Sequence, residues 1–143
     1  MKVALACDHG AIDFKPVLIE FLKSKGHEIV DFGTDSSESC DYPDFGVPAA
    51  SAVQSGECER AILSCTNGIG MSMAANKMKN IRAALVYSTR TAETTRKHHN
   101  SNVLCLGAQE FGHQDLLSMV EAWMITEFEG GRHQRRVDKY PQI

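Results

Sequence analysis

Ala61-Ile62-Leu63-Ser64-Cys65-Thr66-Asn67-Gly68-Ile69-Gly70-Met71-Ser72-Met73-Ala74-Ala75-Asn76-Lys77 passes from an apolar run through a glycine-containing turn into an Ala/Met-rich segment. That order predicts a buried strand, a tight loop and the start of a helix. The first N–H groups of a helix have no partner within it and point at whatever lies in front of them. The loop is therefore an anion cradle. Cys65, at the carboxyl end of the strand, shares its positive environment, which favours the thiolate. A thiolate facing a row of N–H donors is equipped for proton transfer.

A cysteine at a strand end is more often a small buried hydrophobe, so the loop has to be tested against known patterns. A phosphate-binding P-loop ends in Gly-Lys-Ser/Thr, whereas this one ends Gly70-Met71-Ser72, without the lysine. A dinucleotide fingerprint needs three glycines, and Gly68 and Gly70 supply two. A phosphatase of the Cys-x-x-x-x-x-Arg type would need arginine where Met71 stands.

Outward from the loop, apolar strands and helical patterns alternate. Lys2 to Ala6 reads as a first buried strand ending at Cys7-Asp8-His9-Gly10, which puts Asp8 and His9 at its carboxyl end. With Asp13 as N-cap, Phe14, Val17, Leu18, Phe21 and Leu22 recur at helical spacing up to Gly26. Ile29 to Phe32 is a second strand. Gly33 to Phe45, with Asp41-Tyr42-Pro43-Asp44, is a polar loop long enough to line a pocket. Val47 to Ser55 is a helix, Ala83 to Val86 a fourth strand, Thr91 to His98 a helix and Val103 to Leu106 a fifth strand. Leu116, Leu117, Val120, Trp123 and Met124 trace an apolar helix face. The last stretch, Gly130-Gly131-Arg132-His133-Gln134-Arg135-Arg136, is too polar for core and reads as a tail reaching over a surface or a partner.

Together these predict an α/β fold. We expect a single-domain three-layer α/β/α sandwich over residues 1–143, with a five-stranded parallel, Rossmann-like sheet, a C-terminal helix and a basic tail from 129 to 143. Such sheets bind ligands beyond the carboxyl ends of their strands, where Asp8, His9 and Cys65 fall. A formal net charge of −3 over 143 residues gives no basic footprint for nucleic acid. No apolar run approaches the roughly 20 residues that span a bilayer, and no signal-peptide core precedes Cys7, so a cytoplasmic protein is expected. The five cysteines are odd in number and show no Cys-x-x-Cys spacing, which predicts free thiols.

The motifs in order resemble one family. Cys7-Asp8-His9-Gly10, Asp41-Tyr42-Pro43, Cys65 with its glycine loop and Ala74-Ala75-Asn76-Lys77, Asn102-Val103-Leu104, and Gly130-Gly131-Arg132-His133-Gln134 with Arg136 are similar to those of the ribose 5-phosphate isomerase B group, which includes the galactose 6-phosphate isomerase subunits. The last motif resembles the ribose-type branch. The resemblance implies an aldose–ketose isomerase of phosphorylated sugars that works through a cis-enediolate, without metal or organic cofactor, as a homodimer or tetramer whose active sites are shared between subunits. It assigns ring opening to His98 and Asp8 and proton transfer between C2 and C1 to Cys65. The oxyanion cradle is assigned to Asn67 with the N–H groups of Gly68, Ile69 and Gly70, alongside Thr66. Arg132, Arg136 and His9 are assigned to the phosphate, with Tyr42 as a pocket wall. His98 and His99 point about 100° apart if the helix reaches both, and His98 is the acid by motif alignment, with His99 a neighbouring contact.

Thr66, Asn67, His99 and Gln109 depart from the family's commonest residues, which leaves the reaction type and opens the identity of the sugar: a hexose 6-phosphate of allose or galactose type is the alternative. Two further classes remain: a non-catalytic phosphometabolite-binding module, which explains the loop but not Cys65, Asp8 and His98 together, and a metal enzyme using Cys7, His9, His98 or His99, for which no pair has the spacing of a known metal motif.

Overall fold

Val3-Ala4-Leu5-Ala6 alternates large and small side chains, and in the fold that alternation sorts the two faces of one sheet. The protein, described here as a computed structural model over residues 1–142, runs β1 (Lys2–Cys7), α1 (Lys15–Ser24), β2 (Glu28–Asp31), α2 (Pro43–Gln54), β3 (Arg60–Cys65), α3 (Ile69–Ala75), β4 (Ala83–Leu85), α4 (Thr89–His99), β5 (Val103–Gly107), α5 (His113–Ile125) and α6 (Arg132–Val137). All strands are parallel, in the order β2-β1-β3-β5-β4, as the alternation of strand and helix requires. On one face Val3, Leu5, Ile62, Leu104 and Leu106 pack against Phe14, Leu18 and Leu22 and against Leu116, Val120 and Trp123 of α5. On the other, Ala4, Ala6, Ala61, Leu63 and Cys65 meet Ala49 and Ala50 of α2 and Met71 of α3. The small side chains of this second face let α2 lie close to the sheet.

Element ends differ from the sequence reading where local chemistry is stronger than pattern. Asp13 is not the N-cap of α1: the cap position is Phe14, which makes no side-chain cap bond, and Pro16 holds the first turn. The second helix starts at Pro43 rather than Val47, because Pro43 presets a helical φ and Asp44 suits the positive end of the dipole. Tyr42 thus stands at a helix entry. At the start of α4, Ser88 and Thr91 form a reciprocal capping box, so the helix begins at Thr89 and extends through His99. The polar tail also folds. Within α6, His133 and Val137 are buried while Arg132, Arg135 and Arg136 stay exposed, because one face of this short helix rests on α4. Ile143, the last residue of the expected tail, lies outside the described residues.

The loop after β2 is fastened from below by one buried cation. Lys15 Nζ lies 2.7 Å from Asp31 Oδ2 and 2.5 Å from Asp35 Oδ1, and it donates to the Thr34 carbonyl at 2.8 Å. Burial presses the Lys15 pKa down, but the hydrogen bonds and charges of Asp31 and Asp35 outweigh it and hold the value above the ordinary lysine range. Among the described residues no helix is long and apolar enough to cross a membrane, and all five cysteines are free.

A lysine whose pKa is raised on folding adds stability below its unfolded value and loses it as pH rises through the folded one. Lys15→Met is expected to lower the unfolding free energy by about 1–3 kcal/mol. The difference from wild type should be full below pH about 10.4 and shrink above it; denaturant unfolding at pH 8 and at strongly alkaline pH checks both.

Candidate active site

The chain leaves β1 for β2 on one side and returns to add β3 on the other, so a crevice opens above the carboxyl ends of β1 and β3. Cys7 is in register with Ser64, which sets Asp8 beside Cys65 on strands about 4.8 Å apart. Asp8 is 6% exposed, and its Oδ1 accepts the Gly10 N–H at 2.9 Å, capping the 3-10 turn His9–Ala11. This capping bond occupies one of the two carboxylate oxygens of Asp8.

Three loops are stitched together around this point. A Cβ on Gly10 would overlap Thr66 Oγ1, and the Gln109 side chain donates to the Gly10 carbonyl at 2.9 Å. Ala108 and Gln109 donate their N–H groups to the carbonyls of Cys65 and Thr66 at 2.9 and 3.1 Å. His9 Nδ1 accepts the Cys40 N–H at 3.2 Å, which draws the long loop over the crevice and puts the proton of a neutral ring on Nε2. The Tyr42 ring lies against Gly70, where a Cβ would stand 2.7 Å from the phenol oxygen.

Within the glycine loop, the N–H groups are divided differently from the sequence expectation. Gly68, in the left-handed region at φ 80°, turns its N–H onto Cys65 Sγ at 3.2 Å. Ile69 gives its N–H to Asn67 Oδ1 at 3.0 Å. The expected cradle of all three N–H groups is thus reduced: Gly68 serves the sulfur, and Ile69 orients Asn67 so that its amide nitrogen points away as a donor. Among the described residues the Gly70 N–H has no acceptor. Cys65 is 4% exposed, so a thiolate there exchanges bulk water for the Gly68 donor.

The remaining expected residues gather elsewhere. Starting where β4 ends, α4 runs back alongside the sheet for about 16 Å and delivers His98 and His99 to the amino edge. Arg96 fixes that end: its buried guanidinium donates to the carbonyls of Ser101 and Thr126 and to Asn100 Oδ1. Burial, aided by the charges of Arg60 and Arg82, pushes its pKa down to about 10. The Glu129 N–H donates to the Lys97 carbonyl at 3.1 Å and leads the chain into α6. There Arg132 and Arg136 stand exposed beside a stack of two imidazoles, His98 and His133, whose centroids are 4.1 Å apart and whose planes differ by 11°. His99 meets His98 edge-on at 6.1 Å with much of its surface exposed; the burial of the rest of its ring and the neighbouring His98 press its pKa below the histidine norm.

So Asp8, His9, Tyr42, Cys65, Thr66, Asn67, Gly68, Ile69 and Gly70 share one edge, and His98, His99, Arg132 and Arg136 share the other. One chain does not unite them. Glu129 and His133 were not anticipated; their i,i+4 spacing was the available signal, hidden by Gly130 and Gly131 between them.

A strand-end thiol beside a carboxylate, under a glycine loop at the switch point of a parallel sheet, defines an α/β enzyme of small metabolites. The profile of the Ribose/Galactose Isomerase family matches residues 3–140, and the chain belongs to that family. It is 40% identical over 142 residues to ribose-5-phosphate isomerase B of Escherichia coli, covering 99% of this chain and 95% of that one. The fold matches the ribose-5-phosphate isomerase B of Clostridium thermocellum with a TM-score of 0.96 and 46% identity over 97% of this chain and 94% of that one. It matches the Mycoplasma genitalium enzyme with bound ribulose-5-phosphate with a TM-score of 0.92 and 40% identity over 96% and 92%. The chain is an isomerase of the sugar-phosphate kind.

At Gly68 a Cβ would stand 2.9 Å from the Leu106 carbonyl carbon, in addition to the cost of the left-handed φ. Gly56 has a similar φ of 84° with nothing within 4 Å. Gly56→Ala is expected to cost about 1 kcal/mol and Gly68→Ala roughly 2–3 kcal/mol, so comparing their urea midpoints isolates the packing of the loop on β5.

Proposed function

We propose that this chain interconverts ribose 5-phosphate and ribulose 5-phosphate, as a homodimer in which each active site takes the Cys65 edge of one subunit and the His98 edge of the other. The thiol of Cys65, held at 3.2 Å by the Gly68 N–H in the crevice beside Asp8, is the observation that carries the reading. The identity to proteins named ribose-5-phosphate isomerase B over nearly the whole chain supports the choice of sugar. The split between the two edges supports sharing. Ile69 and Met73 add to it: one turn apart on α3 beside the loop, 45% and 65% exposed, they form an apolar patch suited to a second copy.

In this reading His98 of the partner subunit protonates the ring oxygen while Asp8 accepts the anomeric hydroxyl proton, which opens the furanose. The Cys65 thiolate then removes the C2 proton, and the electron pair left behind forms the enediolate. The Gly70 N–H and the Asn67 amide face its oxygen. The same thiol returns the proton at C1 while the hydroxyl proton of O2 passes to O1, which leaves the ketone at C2 and the hydroxyl at C1. The phosphate is gripped by the partner's Arg132 and Arg136 and by the Nε2–H of His9, since a guanidinium matches phosphate oxygens with two parallel bonds. The chain works as one domain over 1–143, in the cytoplasm, where free thiols stay reduced.

NMR of the protein with ribose 5-phosphate should show ribulose 5-phosphate forming at a rate unchanged by EDTA, because every acting group is supplied by the chain; loss of activity in EDTA that added metal restores would contradict it. Cys65→Ser should keep the melting temperature and lose about 10²- to 10⁴-fold in kcat. Arg132→Ala or Arg136→Ala should raise KM by an amount equivalent to roughly 1.5–3 kcal/mol. For the shared site, Cys65→Ser and His98→Asn subunits, each inactive alone, should regain about a quarter of wild-type activity when mixed and refolded, since half the dimers hold one intact site of two. No recovery on mixing would refute sharing.

A further inference from the structure

We propose that His98, Glu129 and His133 form a Zn²⁺ site, and that zinc held there stops the isomerase by taking the His98 imidazole. The second half rests on the function proposed above. One ligand atom from each residue lies within 4.8 Å of the other two. His98 Nε2 is 3.9 Å and His133 Nε2 3.5 Å from the same oxygen, Glu129 Oε1, so both nitrogens lie near one carboxylate without reaching hydrogen-bond distance. His133 is 5% exposed, and its Nε2 is the only buried side-chain polar atom among the described residues that has no hydrogen-bond partner. A buried nitrogen left unpaired is costly and calls for an occupant.

The donor set names that occupant. Two imidazoles and a carboxylate suit zinc, which leaves a fourth position open, whereas magnesium and calcium prefer oxygen donors throughout. Zinc bonds of about 2.1 Å in a tetrahedron hold the donor atoms roughly 3.4 Å apart, and the present separations from Glu129 Oε1, 3.5 and 3.9 Å, are close to that. The stacked rings run their lone pairs side by side, so one must turn. His98 at 40% and Glu129 at 51% side-chain exposure are free to swing, while buried His133 stays as the anchor. Arg132 and Arg136, exposed on the same short helix as His133, repel a cation and weaken its binding there. With zinc on its Nε2, His98 cannot carry a proton there to the sugar ring.

The test has a binding arm and a kinetic arm. Metal-free full-length protein is titrated with Zn²⁺ against a chromophoric chelator, and separately with Co²⁺ while its visible spectrum is followed. One zinc per chain is expected, weakened roughly tenfold or more by Glu129→Gln and by His133→Gln, with a cobalt spectrum that lacks a thiolate charge-transfer band. Glu129 is exposed, so its variant keeps the fold even if that of His133 does not. Unchanged zinc affinity in Glu129→Gln, or a thiolate band, would overturn the site and move the metal to the cysteines. In the kinetic arm, zinc should inhibit wild type, a chelator should reverse it, and Glu129→Gln should raise the half-inhibitory concentration by the factor by which it weakens binding. Zinc that binds as stated without inhibiting would overturn the inhibitory role alone; a protein without isomerase activity would defeat the proposed function, while the binding arm would still decide the site.

Discussion

In a sheet whose strands all run one way, every strand delivers its last residue to the same edge, and every crossover helix must carry the chain back to the other. The arrangement of this protein follows from that constraint. Asp8 and Cys65 leave neighbouring strands at the carboxyl edge because Cys7 pairs with Ser64 in parallel register. His98 and His99 finish α4, so they are carried to the amino edge, and the tail that packs on α4 brings Arg132 and Arg136 to the same place. A single subunit therefore holds these two groups of side chains at opposite edges of its sheet and cannot close them upon each other.

The carboxyl-edge half is rigid by packing rather than by charge. Gly10, Gly68 and Gly70 each sit where a Cβ would strike a neighbour: Thr66, the Leu106 backbone and the Tyr42 ring respectively. These contacts lock the loops after β1, β3 and β5 and the entry of α2 around Cys65, so the sulfur and its Gly68 donor keep their spacing without relying on flexible side chains. The amino-edge half is built the other way. Its anchors, Arg96 and His133, are buried, while His98 and Glu129 are half-exposed and Arg132 and Arg136 exposed, so these side chains can adjust to a ligand. Under the proposed function a fixed base faces adaptable acid and phosphate-binding groups, which suits a reaction in which the sugar first changes shape and then loses a proton at a defined carbon.

Much of the frame could be read from the chain alone, because strand and helix periodicities are local properties. The alternating apolar runs predicted the five parallel strands, and the position of Cys65 before Gly68 and Gly70 marked the loop at the switch point. Element ends were less legible where capping and proline chemistry shifted them, as at Ser88 and Pro43. The tail misled because its composition is polar on average, whereas burial depends on which single face of α6 meets α4, and that face consists of His133 and Val137.

Sequence by itself determined the doubly wound sheet and the edge at which Asp8, His9 and Cys65 gather, since each depends on periodicity or on a motif a few residues long, and the family through several motifs in order along the chain. Tertiary structure alone decided how the loop N–H groups are divided between Cys65 and Asn67, and that Tyr42 closes on Gly70. It also decided that His98 stacks on His133 beside Glu129, far from the thiol in its own subunit. Those facts depend on distances between segments remote in the chain, which close packing sets and no local pattern encodes.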